Sequence, residues 1–90
     1  MENETRTVLL GIIVEDPSSV ESVNNILHNC RRYIIGRMGL PYGEKNISII
    51  SIVMDAPADV ISAVSGKIGM LPGVGAKTVW AKSNGKRKAQ

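Results

Sequence analysis

The sequence predicts an α+β domain of the ferredoxin-like type, a four-stranded antiparallel sheet with two helices on one face, built in the order βαββαβ. Three observations predict it. Aliphatic runs of strand length occur at Thr7 to Val14 and Ile47 to Met54, apolar residues recur at helical spacing after each run, and a strand-helix-strand pattern repeats along the chain. Two right-handed βαβ crossovers placed side by side give this sheet and put both helices on the same face.

Thr7 to Val14 is interrupted only by Gly11, and its length and β-branching fit a buried strand. Val20, Val23, Leu27 and Cys30 then recur at steps of three, four and three, with Ile26 beside them, and predict a helix over 18–31. Asp16 is placed to cap it with Pro17 in the first turn, and Ser18 with Glu21 forms an alternative capping box. Tyr33 to Leu40 is the second extended segment. Pro41, Gly43 and Asn46 supply turn chemistry before the third strand, so the two should pair as a hairpin. Asp55 and Pro57 repeat the acid-plus-proline helix start, Val60, Ile61, Val64 and Ile68 form the stripe, and Gly69 ends the helix. After a turn at Leu71-Pro72-Gly73-Val74, residues 75–82 supply the last strand.

Two helices cover one face of such a sheet and leave the other open. In the third strand Ile47, Ile49 and Val53 point one way and Ile50, Ile52 and Met54 the other. The first strand sets Val8, Leu10, Ile12 and Val14 opposite Leu9 and Ile13. A solvated face would alternate with polar residues, so the second face is expected to be buried in a homo-oligomer, a dimer or a tetramer. A bulge that shifts the strand parity is the alternative.

With 90 residues the chain is expected to hold one domain, residues 1–82, followed by a basic tail, residues 83–90. The net charge of +3 belongs to the end of the chain, where Lys82, Lys86, Arg87 and Lys88 lie in the last nine residues. Residues 1–81 carry seven Lys or Arg against eight Asp or Glu, a balance of −1, so direct nucleic-acid binding is not expected. The aromatics are Tyr33, Tyr42 and Trp80, and the central strands carry Ile and Val where an RNA-reading sheet would carry aromatics. The polar start from Met1 has no apolar stretch behind it, no apolar run reaches the roughly 20 residues of a membrane span, and Cys30 is the lone cysteine. These features point to a cytoplasmic protein without a membrane partner.

No catalytic constellation emerges, and an enzyme is not expected. His28 and Cys30 lie two residues apart on a helix and project about 200° from each other, which prevents joint chelation. A metal role for His28 would need a subunit interface; otherwise Cys30 is a buried hydrophobe and His28 sits at the helix edge. With one histidine in the chain, nucleophile-base arrangements are missing, and Gly66-Lys67 lacks the rest of a phosphate loop. The first strand ends in Glu15-Asp16-Pro17, where an acylphosphatase-type enzyme needs an arginine-bearing loop. Arg37 is the exception. Flanked by Gly36 and Gly39, it either grips an anion that approaches the backbone closely or is a solvated side chain on a bulged edge strand. Tyr42 on the following hairpin is a candidate for the same pocket.

The segments Gly11-Ile12-Ile13-Val14-Glu15-Asp16, Tyr33-Ile34-Ile35-Gly36-Arg37-Met38-Gly39-Leu40-Pro41-Tyr42, Ile47-Ser48-Ile49-Ile50-Ser51, Asp59-Val60-Ile61-Ser62-Ala63 and Gly66-Lys67-Ile68-Gly69 with Leu71-Pro72-Gly73-Val74 resemble the small bacterial proteins described as regulators of the iron-only hydrogenase system. The resemblance runs from about Arg6 to Lys82. It implies an ACT-like domain, similar to the ligand-sensing half of the nickel-responsive repressor, which works as an oligomer. The repressor's ribbon-helix-helix segment and its histidine and cysteine nickel set have no counterpart here. The resulting expectation is a ligand-sensing regulatory module. Its small-molecule site would lie near the first strand-helix loop, at Glu15 and Asp16, or at the hairpin of Arg37 and Tyr42. An assembly or protein-interaction accessory without a small ligand is the other reading. The sequence names no cofactor.

Overall fold

Alternation of side chains across a pleated strand decides which residues of this chain meet the helices. In the computed structural model, which describes residues 4–82, β1 (Arg6–Val14) buries Val8, Leu10, Ile12 and Val14. The intervening Leu9 and Ile13 remain 43% and 45% exposed on the other side. β3 (Ile47–Ala56) does the same with Ile50, Ile52, Met54 and Ala56. β2 (Ile34–Tyr42) and β4 (Val74–Trp80) complete a four-stranded antiparallel sheet in the order β2-β3-β1-β4. The element order is β-α-β-β-α-β, and the fold is ferredoxin-like, as the sequence predicts. The basic tail at 83–90 lies outside the described residues.

Helix α1 (Val20–Asn29) contributes Val23 and Leu27 to the core, and α2 (Ala58–Gly69) contributes Ile61, Val64 and Ile68. Burying side chains such as Leu10, Ile52 and Leu27 stabilises the fold by about 1.5–3 kcal/mol each, so one layer of contacts between helices and sheet supplies most of the cohesion.

Several boundaries differ from the sequence expectation. Pro17–Ser19 is a separate 3-10 turn capped by Asp16, and α1 starts only at Val20. Arg31–Tyr33 forms a second 3-10 turn, which takes Tyr33 out of β2. Pro41 and Tyr42 belong to β2, because Tyr42 pairs with Ile47, and the turn is confined to residues 43–46 with Asn46 at φ 57. Asp55 does not start α2. It lies in β3 opposite Thr7, and Pro57 holds the N-cap position without a side-chain cap bond.

β2 carries a register shift between Ile34 and Gly36, the bulged edge strand of the alternative reading of Arg37, while β1 and β3 pair without a shift. Both parities assigned to the central strands therefore stand. On the open face, Ile13 and Ile49 form one cross-strand pair and Leu9 and Val53 another, with Gly11 and Ser51 between them. Met38, Leu40 and Val79 extend the apolar surface toward the two edges and are more than half exposed. Among the described residues, no helix is long and apolar enough to cross a membrane.

Candidate functional site

The four residues singled out in the sequence fall in three places. Glu15 and Asp16 follow β1 and are clasped by the loop between α2 and β4. The Glu15 N–H donates to the Gly73 carbonyl at 2.7 Å, and the buried Ser19 hydroxyl donates to the Pro72 carbonyl at 2.7 Å. Gly73 has φ +68, and a Cβ there would lie 2.7 Å from the Asp16 Cβ, so only glycine fits this crossing. The Asp16 carboxylate accepts from the Ser18 hydroxyl at 2.8 Å and from the Ser18 N–H at 3.0 Å. Those two bonds, the hydroxyl's first, hold its pKa below the usual carboxylate value. Asp16 is thus engaged as a cap, whereas Glu15 lines a shallow depression of about 500 Å³ with Ile13, Gly73, Val74 and Gly75.

Tyr42 sits at the far end of β2. Its hydroxyl donates to Glu44 Oε1 at 3.0 Å, and the residue borders a small hollow of about 130 Å³ between the hairpin and Pro17. Arg37 lies elsewhere. It pairs with Ile52, a core residue on the helix-covered face, whereas Tyr42 pairs with Ile47, so the two side chains leave β2 on opposite faces.

Arg37 instead faces α1. Its Nη2 donates to Asn24 Oδ1 at 2.6 Å, across an open groove of about 660 Å³ between the helix and the edge strand. Asn24, Asn25 and His28 of α1 and Arg31 of the following 3-10 turn form one side of this groove, and Ile34 its apolar floor with the buried Leu27 beneath it. Arg31 is tied back to the helix end, its Nη1 donating to the His28 carbonyl at 2.8 Å and standing 3.2 Å from His28 Nε2. Sequence reasoning passed over Asn24, His28 and Arg31 as partners of Arg37. Asn24 and His28, four residues apart, share one face of α1, and Arg31 follows in the 3-10 turn, so their spacing groups them with each other but not with Arg37.

Cys30 is buried at the end of α1, its Sγ 3.5 Å from the Leu27 carbonyl, and burial pushes its thiol pKa up. That is the environment of an inert packing residue. His28 lies exposed on the helix surface, and among the described residues no three His, Cys, Asp or Glu side chains converge as a metal site.

The fold and these surfaces define a small ferredoxin-like domain with an apolar open sheet face and a cationic groove at one edge. Comparison with known proteins places it further. The chain belongs to the TM1266-like family, described as "Iron-only hydrogenase system regulator, putative", whose model matches residues 6–78. It is similar to the solved structure of the uncharacterized protein TM1266 from Thermotoga maritima, with 40% identity and a TM-score of 0.84 over 88% of this chain and 100% of that one. No curated protein matches the chain. The family description assigns a regulatory role in the iron-only hydrogenase system.

Proposed function

We propose that the protein regulates by binding and without catalysis, as an oligomer in the cytoplasm whose copies meet through the open sheet face and whose state responds to a small ligand. The observation that carries this reading is the apolar character of that face. Leu9, Ile13, Met38, Leu40 and Val79 are all at least two-fifths exposed in the single chain, an arrangement that costs free energy in water.

A second copy is the occupant that suits this surface. The Ile13–Ile49 and Leu9–Val53 pairs lie symmetrically about Gly11 and Ser51, so the patch is close to self-complementary under a two-fold rotation. Four strands spaced about 4.8 Å apart and some seven residues long give a footprint of roughly 19 by 23 Å. That projected area of about 440 Å² is a little over half of the ~800 Å² per partner of a standard interface, the rest coming from side-chain relief and the flanking loops. Lys77, opposite Gly11 on β4, lies toward the rim, where its ammonium keeps its water.

The test is native mass spectrometry of protein purified without oxygen. A dimer or tetramer is expected, and a bare monomer at micromolar concentration overturns the proposal. An oligomer that carries no small molecule and gains none from cell extract, yet binds a second protein, favours an assembly accessory over a sensor.

A further inference from the structure

We propose that the groove between α1 and the edge strand β2 binds a small organic anion, with Arg31 and Arg37 holding its phosphate or carboxylate group. This deepens the ligand-responsive reading above and rests on it, because it names the ligand class and the site.

Charge is the first argument. Among the described residues neither arginine has a carboxylate partner; their hydrogen bonds go to the Asn24 amide and to His28. Arg31 donates to a last-turn carbonyl of α1, where the helix end carries about −0.5 of an elementary charge. Two guanidiniums against that partial charge leave the groove with roughly +1.5.

Geometry is the second. A guanidinium has five N–H donors. Arg37 uses Nη2 on Asn24, which tethers the guanidinium at the groove and leaves the other donors for a ligand. Gly39 shares Arg37's face of β2, and a Cβ there would meet nothing within 4 Å, so the strand beside Arg37 offers open approach. Arg31 stands on the same groove, steadied from the helix end.

The remaining lining describes the rest of the ligand. Ile34 offers an apolar floor with the buried Leu27 beneath it, the amides of Asn24 and Asn25 can meet a neutral polar edge, and the groove's volume is in the range of small-molecule sites. A nucleic acid fits less well. Residues 4–82 hold eight Lys or Arg against seven Asp or Glu, a balance of +1, and no aromatic ring lines the groove for bases to stack on.

The experiment is an amide-resolved NMR titration of the full chain with pyrophosphate, citrate and AMP in separate arms, and with a ten-residue oligothymidylate as the competitor class. Saturable shifts at residues 24–37 are expected with at least one of the three small anions. The arms separate phosphate from carboxylate and show what the apolar floor adds. Arg37→Gln and Arg31→Gln should each weaken binding about tenfold or more, Arg37→Lys should recover part of it, and Lys45→Gln should leave it unchanged. Both arginines are exposed, so the dispersion of each variant's spectrum certifies its fold before titration. The proposal is overturned if none of the three anions moves these residues, if both Gln variants bind as well as wild type, or if the oligonucleotide binds more tightly than AMP. Native mass spectrometry of the same samples separates the two readings. An oligomer without groove binding overturns the anion proposal alone, whereas a monomer overturns the oligomer.

Discussion

Replacing Gly73 with alanine tests whether the clasp between the α2–β4 loop and the end of β1 holds the fold together. At φ +68 an alanine is strained by about 1–2 kcal/mol. Its Cβ would also lie 2.7 Å from the Asp16 Cβ and 2.9 Å from the Asp16 nitrogen, whereas carbon atoms rest at about 3.5–4.0 Å. Relief takes a shift of about 1 Å, and the two 2.7 Å bonds, Glu15 N–H to Gly73 and Ser19 hydroxyl to Pro72, resist it. Losing one of them adds about 0.5–1.5 kcal/mol. The expected total is roughly 1.5–3.5 kcal/mol, a large part of the ~5–13 kcal/mol that a domain this size holds. With a urea dependence near 1 kcal/mol per molar, the midpoint should fall by about 1.5–3.5 M. Gly66→Ala is the control, because Gly66 lies inside α2, its Cβ position meets nothing within 4 Å, and alanine there should stabilise by about 0.5–1 kcal/mol. Both are measured by urea denaturation at one protein concentration, since oligomerisation couples to stability. A Gly73→Ala midpoint within about 0.5 M of wild type, or a Gly66→Ala loss as large, would refute the clasp.

Asp16 should make part of the stability depend on pH. Its folded pKa is depressed by the Ser18 hydroxyl and N–H, so its contribution is full above the unfolded carboxylate pKa and disappears as pH falls through the lower folded value. The gap in urea midpoint between wild type and Asp16→Ala should therefore be widest near neutrality and close in acid; a gap that widens in acid contradicts the cap. Cys30 should react with a thiol reagent much more slowly in the native protein at pH 7 than in urea, because it is 6% exposed and its thiol pKa is raised. Equal rates would place Cys30 at the surface. On the open face, Ile13→Asp should weaken self-association about 30-fold or more, the effect of losing roughly 2 kcal/mol at an interface centre, with the monomer's far-UV circular dichroism unchanged. Light scattering across a dilution series measures this, and an unchanged dissociation constant removes the face from the interface.

The fold was legible because its strong signals are non-local in effect and local in pattern. Val8 to Val14 and Ile50 to Met54 carry apolar residues on both parities, and the helix stripes mark which parity meets a helix. The weak points came where pairing overrode local chemistry. Asp55 and Pro57 look like Asp16 and Pro17, yet Asp55 stays extended because Thr7 and Arg6 continue the β1 ladder opposite Asp55 and Ala56. Asp16 has no such partner strand, and its carboxylate turns to Ser18. Tyr42 was read as turn for the same reason, since Pro41 and Gly43 beside it signal a bend while Ile47 holds it in register.

The grouping of Arg37 with Tyr42 failed on parity, which the sequence does contain. The two are five residues apart, an odd number, and past the bulge at Ile35 the strand is regular, so their side chains must leave on opposite faces. The partners Arg37 does meet follow from a comparison of rises. From Asn24 to Cys30, the C-cap of α1, the chain climbs six residues at about 1.5 Å each, roughly 9 Å along the helix. From Ile34 to Arg37 it runs three residues at about 3.3 Å each, roughly 10 Å, back along the strand. With the short 3-10 turn Arg31–Tyr33 as the corner, Asn24 and Arg37 arrive at the same height, and their 2.6 Å hydrogen bond spans thirteen residues of sequence. Charge spacing along either element alone does not reveal this groove, because its residues are gathered by the near-equality of two climbs that turn at Arg31–Tyr33.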